Sequence, residues 1–296
     1  MRAINMRKSH RSLRKDKRAA SPAISTVILM AAGVAMILVA MTYANNTLIL
    51  KMAENEYNTN KQFMQTTGQQ IDDLAWAVGR TQTVSYSSKY GNVKFQEVAL
   101  NYTFQVHTPA GGWQNLSLSG TTGIILYNVP VGYYSLGNNS FARVPFGANS
   151  SFLLPDSTAP IDQVICEQRL PMADGGYARI ALVPTMRVLT STITSTTGST
   201  NYFKFYLPDL ENGTNLYRSQ SITLTGNGIS KVTRDQVDQV RISVSFPKGA
   251  SLGFDSSFFN FKSNTITLNS TSTPRLPANS VVEFYVGKVV VTIGQV

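Results

Sequence analysis

Two histidines, one cysteine and sixteen carboxylates are all that this 296-residue chain offers for acid–base or nucleophilic chemistry. His10 lies in a basic stretch and His107 on the polar phase of an alternating segment. No histidine-dependent triad, HExxH pair or multi-histidine metal site can be built from them. Cys166 stands alone in QVICEQ, an apolar setting that suits packing better than a thiolate, and it has no cysteine partner for a disulfide. Asp235 and Asp238 are three apart, a spacing found far more often in a solvated turn than in an acid/base pair. Asp209-Leu210-Glu211-Asn212-Gly213-Thr214-Asn215 carries the oxygens that calcium takes but departs from the EF-hand loop. Gly111-Gly112 and Gly175-Gly176 lead into no Gly-Lys-Ser/Thr and read as hairpin turns, not phosphate loops. The expectation is a chain with no catalytic residues, no cofactor and no metal.

The informative stretch is KDKRAASPAISTVILMAAGVAMILVAM, from Lys15 to Met41. Residues 1–19 carry eight Lys or Arg against Asp16, a net charge of +7. Such a segment stays on the cytoplasmic side of a membrane, each cation near an anionic leaflet contributing about 1 kcal/mol. From Ala23 to Ala44 no residue is charged. As a helix this run spans about 33 Å at 1.5 Å per residue, enough for a hydrocarbon core of roughly 30 Å. It is too long for the apolar region of a cleavable secretory signal. Ser21 can cap a helix with Pro22 in its first turn, where a missing amide hydrogen costs nothing. Ala31, Ala32, Gly33 and Ala35 would let neighbouring helices approach closely.

This segment resembles the class III signal of archaeal type IV pilins, in which a basic leader ends in Lys/Arg and a small residue ahead of Ser-Pro and an apolar helix. Here Lys17, Arg18 and Ala19 would precede the cut, and Ala20, Ser21 and Pro22 would follow it. Ala19 and Ala20 being alike, the bond is placed to within one residue. The resemblance covers about 30 of the 296 residues. It implies cutting by a prepilin peptidase on the cytoplasmic side, followed by assembly through an ATPase and a membrane platform protein. Position five after the cut is Ile24 rather than Glu, which favours the archaeal branch. Ser-Pro-Ala-Ile-Ser-Thr also differs from the glycine-rich start of archaellins.

Beyond the apolar run, Ile71, Leu74, Ala75 and Val78 recur at i, i+3, i+4 and i+7, and Gly79 offers a stop. Residues Glu54 to Gln70 between them are polar, with only Tyr57, Phe63 and Met64 as large apolar residues. A continuous helix from Ser21 to Val78 would be about 87 Å long. The stripe from Ile71 to Val78, with Trp76 nearby, is where a head is expected to dock.

From Arg80 the period becomes two. Val98, Leu100, Tyr102, Phe104 and Val106 alternate with polar neighbours, as do Val240, Ile242, Val244 and Phe246. Similar runs recur at Thr83–Ser87, Gly123–Val129, Ala178–Val183, Arg187–Thr194, Tyr202–Leu207, Ser221–Thr225, Thr265–Asn269 and Val281–Ile293, divided by Gly, Pro and Asn turns. Thr190–Thr200 reads as a strand edge or a flexible loop. The fold expected is α+β: a long N-terminal hydrophobic helix and a mostly antiparallel, sandwich-like β head, in one lobe or in two divided near Ser150–Pro160. The segments are a leader at 1–19, a membrane or filament-core helix at 20–79, and an extracellular head at 80–296.

The formal charge of +10 is not a nucleic-acid signal: residues 20–79 sum to −2, and the +5 of residues 80–296 is spread singly. Seven Asn-x-Ser/Thr sequons occur. Asn101, Asn115, Asn138, Asn149, Asn212 and Asn269 are candidates for glycosylation, and Asn45 lies too near the membrane run.

The sequence thus points to a surface subunit whose partners are a membrane, a prepilin peptidase and other pilin subunits. A bulky head on a sparse helix favours a minor, tip or pseudopilin-like role. The alternative is a single-pass membrane-anchored cell-surface module that binds a carbohydrate or a protein. A third reading, a surface hydrolase working through carboxylates alone, has no nominated pair.

Overall fold

The structure, a computed structural model, describes residues 17–118, 120–144, 151–155, 162–173, 175–196, 198–215 and 220–294. The elements in chain order are α1 (Lys17–Leu74), β1 (Thr81–Ser85), β2 (Asn92–Thr108), β3 (Gly112–Asn115), β4 (Gly120–Pro130), β5 (Ser140–Val144), β6 (Leu153–Leu154) and β7 (Asp162–Gln168). There follow β8 (Tyr177–Pro184), β9 (Met186–Ser195), β10 (Gly198–Asn215), β11 (Ser221–Val237), β12 (Gln239–Ser245), α2 (Gly249–Leu252), α3 (Ser256–Phe259), β13 (Thr265–Leu268) and β14 (Ser280–Ile293). This is the α+β arrangement expected, one long apolar helix ahead of a strand-rich head.

The chain forms two compact units, Met1–Lys51 and Met52–Val296. The first contains the apolar part of α1, and the second contains the rest of α1 with every described strand. In the head, β1-β11-β14-β10-β9-β6 make one sheet and β13-β12-β2-β4-β8-β7-β5 the other, with β3 paired to β2. Pairing is antiparallel except for β10 with β14 and β6 with β9. A parallel pair needs a long crossover; here it runs through β11, β12, α2, α3 and β13 before β14 returns beside β10. Strands from either side of residues 150–160 pair directly, β5 with β7 and β4 with β8, so the head is not divided there.

Alternation places the core. On β4, Ile124 and Leu126 face the other sheet, where Phe205, Phe284 and Val282 lie, and join Phe104 of neighbouring β2 in one core cluster. Ile125, Tyr127 and Val129 face the opposite way, into a second cluster with Tyr57, Met64, Ile71 and Leu74 of α1. The same division occurs on β7 and β8, which are therefore buried on both faces. A strand sandwiched between a sheet and a helix loses its polar phase and reads as a continuous apolar run. In-register neighbours on β10 and β14 stack, Phe205 on Phe284 at 4.7 Å and Tyr206 on Tyr285 at 4.9 Å.

Several boundaries differ from the sequence expectation. The helix does not start at a Ser21 cap: α1 already includes Lys17, and Pro22 lies inside it. Lys, Arg and Ala are strong helix formers, so the full chain extends the helix back through the leader side of the proline. At the other end, α1 stops at Leu74 and not at Val78, which is 62% exposed and docks against nothing. Ala77 N–H donates to Leu74 O and Arg80 N–H to Ala77 O, tight turns that replace the last helical turn ahead of Gly79, whose φ is +82°. The strand expected at Thr83–Ser87 is β1, Thr81–Ser85. Thr190–Thr200 is no loose loop: β9 pairs β10 from Ser195↔Gly198 onward, as an antiparallel hairpin.

Candidate functional site

The surface best suited to a function is α1 itself, and its two parts differ in kind. In the first unit, Ile28, Leu29, Met30, Ile37, Leu38, Val39 and Met41 are each 56–74% exposed, so apolar side chains cover every side of the helix. This helix is long and apolar enough to cross a membrane. Two of its hydroxyls are satisfied within the helix: that of Thr42 donates to Leu38 O at 2.8 Å and that of Thr47 to Tyr43 O at 2.9 Å. Back-bonding of this kind lets a hydroxyl enter an apolar medium without a partner helix.

In the second unit α1 is amphipathic. Ala53, Tyr57, Asn60, Met64, Thr67, Ile71 and Leu74 are 0–2% exposed and follow one another at three- and four-residue steps, the signature of one buried face. Glu56, Asn60 and Thr67 are polar residues buried along this side of the helix; the first two are held by hydrogen bonds, whereas Thr67 Oγ1 has no partner among the described residues. Glu56 is 7% exposed. Its Oε1 accepts from Tyr90 N–H and Gly91 N–H at 3.0 Å and from the Tyr127 hydroxyl at 2.6 Å, while Oε2 accepts from Lys89 N–H at 3.0 Å. Asn60 Nδ2 donates to Ser87 O at 2.6 Å. One helical turn therefore holds the whole connection between β1 and β2. Thr67 lies where the helix passes β7: a Cβ on neighbouring Gly68 would stand 3.1 Å from Asp162 Cβ.

The end of α1 rests on bare backbone. A Cβ at Gly287 would lie 2.3 Å from Ala75 O, and one at Gly226 would lie 2.5 Å from both Leu74 O and Ala77 O. Only glycine allows this approach at β14 and β11. Trp76 meets Tyr206 edge-on at 5.1 Å, and Arg187 Nη2 pairs with Asp72 Oδ2 at 2.9 Å. Beneath, the Asp162 carboxylate is buried, and among the described residues neither oxygen has a hydrogen-bond partner. Burial and nearby Asp72 push its carboxyl well above the usual range, with Arg187 opposing.

Of the six processing residues, Lys17, Arg18, Ala19, Ala20, Ser21 and Pro22, the backbone belongs to α1 and Pro22 is exposed; the side chains of the other five lie outside the described residues. Among the sequons, Asn115, Asn138 and Asn212 are exposed, Asn101 and Asn269 half-buried, and Asn149 outside the described residues. Asn101 sits on β2, Asn115 ends β3 and Asn212 lies within β10, so Asn212 is on a strand and not in a turn. Asn138 and Asn269 each accept backbone N–H bonds through Oδ1, which holds their side chains in turn geometry.

The residues weighed for chemistry are dispersed. His107 Nδ1 meets Asp238 Oδ1 at 2.6 Å, beside the Trp113 ring, whereas Asp235 is exposed within β11. Cys166 is buried, and that burial pushes its thiol up, against the needs of a nucleophile. Asp209 to Asn215 is strand β10 and not a cation-binding loop. Among the described residues no three His, Cys, Asp or Glu side chains are grouped to hold a metal ion.

One further concavity lies where β2 and β4 face β10, β11 and β14, a cleft of about 390 Å³ with Asp209, Glu211 and Lys288 on its wall. Its rim includes the bulge of β2, where register with β4 shifts between Gln96 and Leu100 and Val98 takes φ +52°. The alternating pattern of β2 gave no sign of this bulge, because Val98 keeps its apolar phase in the sequence. Comparison with protein-family models, with curated proteins and with solved structures finds no match to this chain.

Proposed function

We propose that this chain is a pilin-like subunit of an archaeal type IV pilus-like surface filament, its helices packing in the filament core and its β head facing outward for adhesion or surface interaction. In this reading a prepilin peptidase removes the basic leader at Ala19-Ala20 or within one residue of it. An assembly ATPase and a platform protein then move α1 from lipid into contact with related helices. The role favoured is that of a minor, tip or pseudopilin-like subunit.

The observation that carries the reading is the change of character along α1. From Ile24 to Met41 the helix is apolar on all sides and covered by nothing. From Ala53 onward the same helix has a single buried face and is fixed to the head by Glu56, Asn60 and the glycines beneath Ala75. A membrane accepts the first part, and a bundle of like helices accepts it equally. The small residues Ala31, Ala32, Gly33 and Ala35 favour the bundle, since they let backbones approach closely. In the same reading the sequons on the head carry glycans.

Cysteine cross-linking tests assembly, because the native Cys166 is buried and gives little background. An Ala32→Cys variant treated with a bifunctional maleimide should give a ladder of multimers in material sheared from the cell surface, while the unsubstituted chain should not. Monomer alone, all of it in the membrane fraction, would instead describe a single-pass anchored binding module.

A further inference from the structure

The cleft between β2–β4 and β10–β14 contains a carboxylate that its own protein leaves unanswered. Asp209 is 7% exposed, and among the described residues its side chain accepts no hydrogen bond and joins no ion pair, although it lines an open cleft of about 390 Å³. That volume lies within the roughly 300–1,000 Å³ of small-ligand sites. Glu211, two residues along the same strand and so on the same side, is already engaged: Lys288 Nζ donates to its Oε1 at 2.5 Å. The pair answers itself, and Asp209 remains over. With Glu97 on the rim, the cleft carries three carboxylates against one lysine. With no protein donor, this carboxylate is left to the solvent of the cleft, and a ligand that brings both charge and donors can take the place of that water.

We infer that this cleft binds an alkylammonium group, the side chain of a lysine on a partner protein or a free alkylamine, with Asp209 as its buried counter-ion. The ammonium supplies three hydrogen-bond donors. Asp209 takes one, and the hydroxyls of Thr121 on facing β4 and of Ser230 on β11 offer further acceptors. The apolar share of the wall, Val98 and Val286 among it, suits a methylene stem. A calcium ion fits less well, because it asks for six to eight oxygens and no three carboxylates converge among the described residues. An anion is opposed by the net charge. The inference concerns the head alone and stands whether or not α1 enters a filament.

The state of Asp209 makes the site sensitive to pH. Burial and neighbouring Glu211 push its carboxyl up to about 7, with Lys288 opposing. The charged groups lining the cleft with it are Glu211 on its own strand, Lys288 on β14 and Glu97 on β2; β4 and β11 add hydroxyls to the wall, and Asn227 Nδ2 of β11 donates to Glu211 Oε2 at 3.3 Å. An ammonium binds the ionised form, so affinity rises with pH through about 7.

The test is calorimetric titration of the full chain in detergent micelles with Nα-acetyl-lysine methylamide, with 1,5-diaminopentane, with the uncharged Nα-acetyl-norleucine methylamide, and with calcium chloride. We expect the lysine derivative to bind at pH 8 and at least tenfold more weakly at pH 5.5, and the norleucine analogue not to bind. Binding by the diamine as well would indicate recognition of the amine itself, and binding by the lysine derivative alone would indicate a protein partner. Asp209→Asn should abolish amine binding while leaving the melting temperature equal or higher, and Glu97→Gln should weaken binding by a smaller factor. No amine binding at pH 8, undiminished binding by Asp209→Asn, or calcium binding without amine binding would each overturn the inference.

Discussion

The Tyr127 hydroxyl donates to Glu56 Oε1 at 2.6 Å across 71 residues of sequence, joining the middle of α1 to the centre of the strand-rich head. Around this contact three consecutive backbone N–H groups, from Lys89 to Gly91, close on the same carboxylate. A buried acid that gathers so many donors fixes the helix in both register and rotation, which an apolar contact alone would leave free to slide.

Removing that acid strands its donors. Glu56→Ala should cost about 3 kcal/mol of head stability and Tyr127→Phe about 1 kcal/mol. Because the two groups touch, the double variant should cost less than the sum. Thermal unfolding of the four proteins in detergent, followed by near-ultraviolet circular dichroism, measures this coupling; strict additivity would mean that the contact does not bear on stability.

The seat of the helix end should be equally intolerant. Gly287→Ala places a methyl 2.3 Å from Ala75 O, so strand and helix must part, at a cost of roughly 2–4 kcal/mol. Gly228→Ala, on a neighbouring strand with nothing within 4 Å of the added carbon, is the control and should change stability little. Limited proteolysis at Arg80 should accelerate in the first variant and not in the second.

Asp162 and Asp209 both give the head an unusual pH dependence. Burial raises both carboxyls, so the native state holds protons that the unfolded chain releases near pH 4. The native state then binds more protons than the unfolded one, and stability falls as pH rises from about 4 through at least 7. Thermal unfolding at pH 5 and pH 8 should show the wild type losing stability at the higher value. The Asp162→Asn, Asp209→Asn double variant should lose markedly less, and an equal loss in both would show that these acids are not buried as described.

The general plan of the molecule was legible in its residues because period and charge carry it. The uncharged run from Ala23 to Ala44 and the alternation at Leu100 to Val106 each became the element expected. The buried face between Ala53 and Thr67 was not legible, since Glu56, Asn60 and Thr67 interrupt its apolar pattern and their partners lie on strands distant in sequence. Ile71, Leu74 and Ala75 of the expected docking stripe are buried, and only its last member, Val78, fails, for a related reason. Val78 continues the period, but the chain has already turned at Leu74 to bring Gly79 and Arg80 onto β11 through Gly226. The parallel pairing of β10 with β14, and the cleft beside it, depend on a crossover that no local pattern encodes.

The central claim, that α1 is a processed helix destined for a filament, rests on what happens at Ala19-Ala20. The direct measurement is the N-terminal sequence and intact mass of the protein taken from its native membrane or cell surface. The account predicts a chain beginning at Ala20, or one residue to either side; a chain that still begins at Met1, with the leader of residues 1–19 in place, would contradict it.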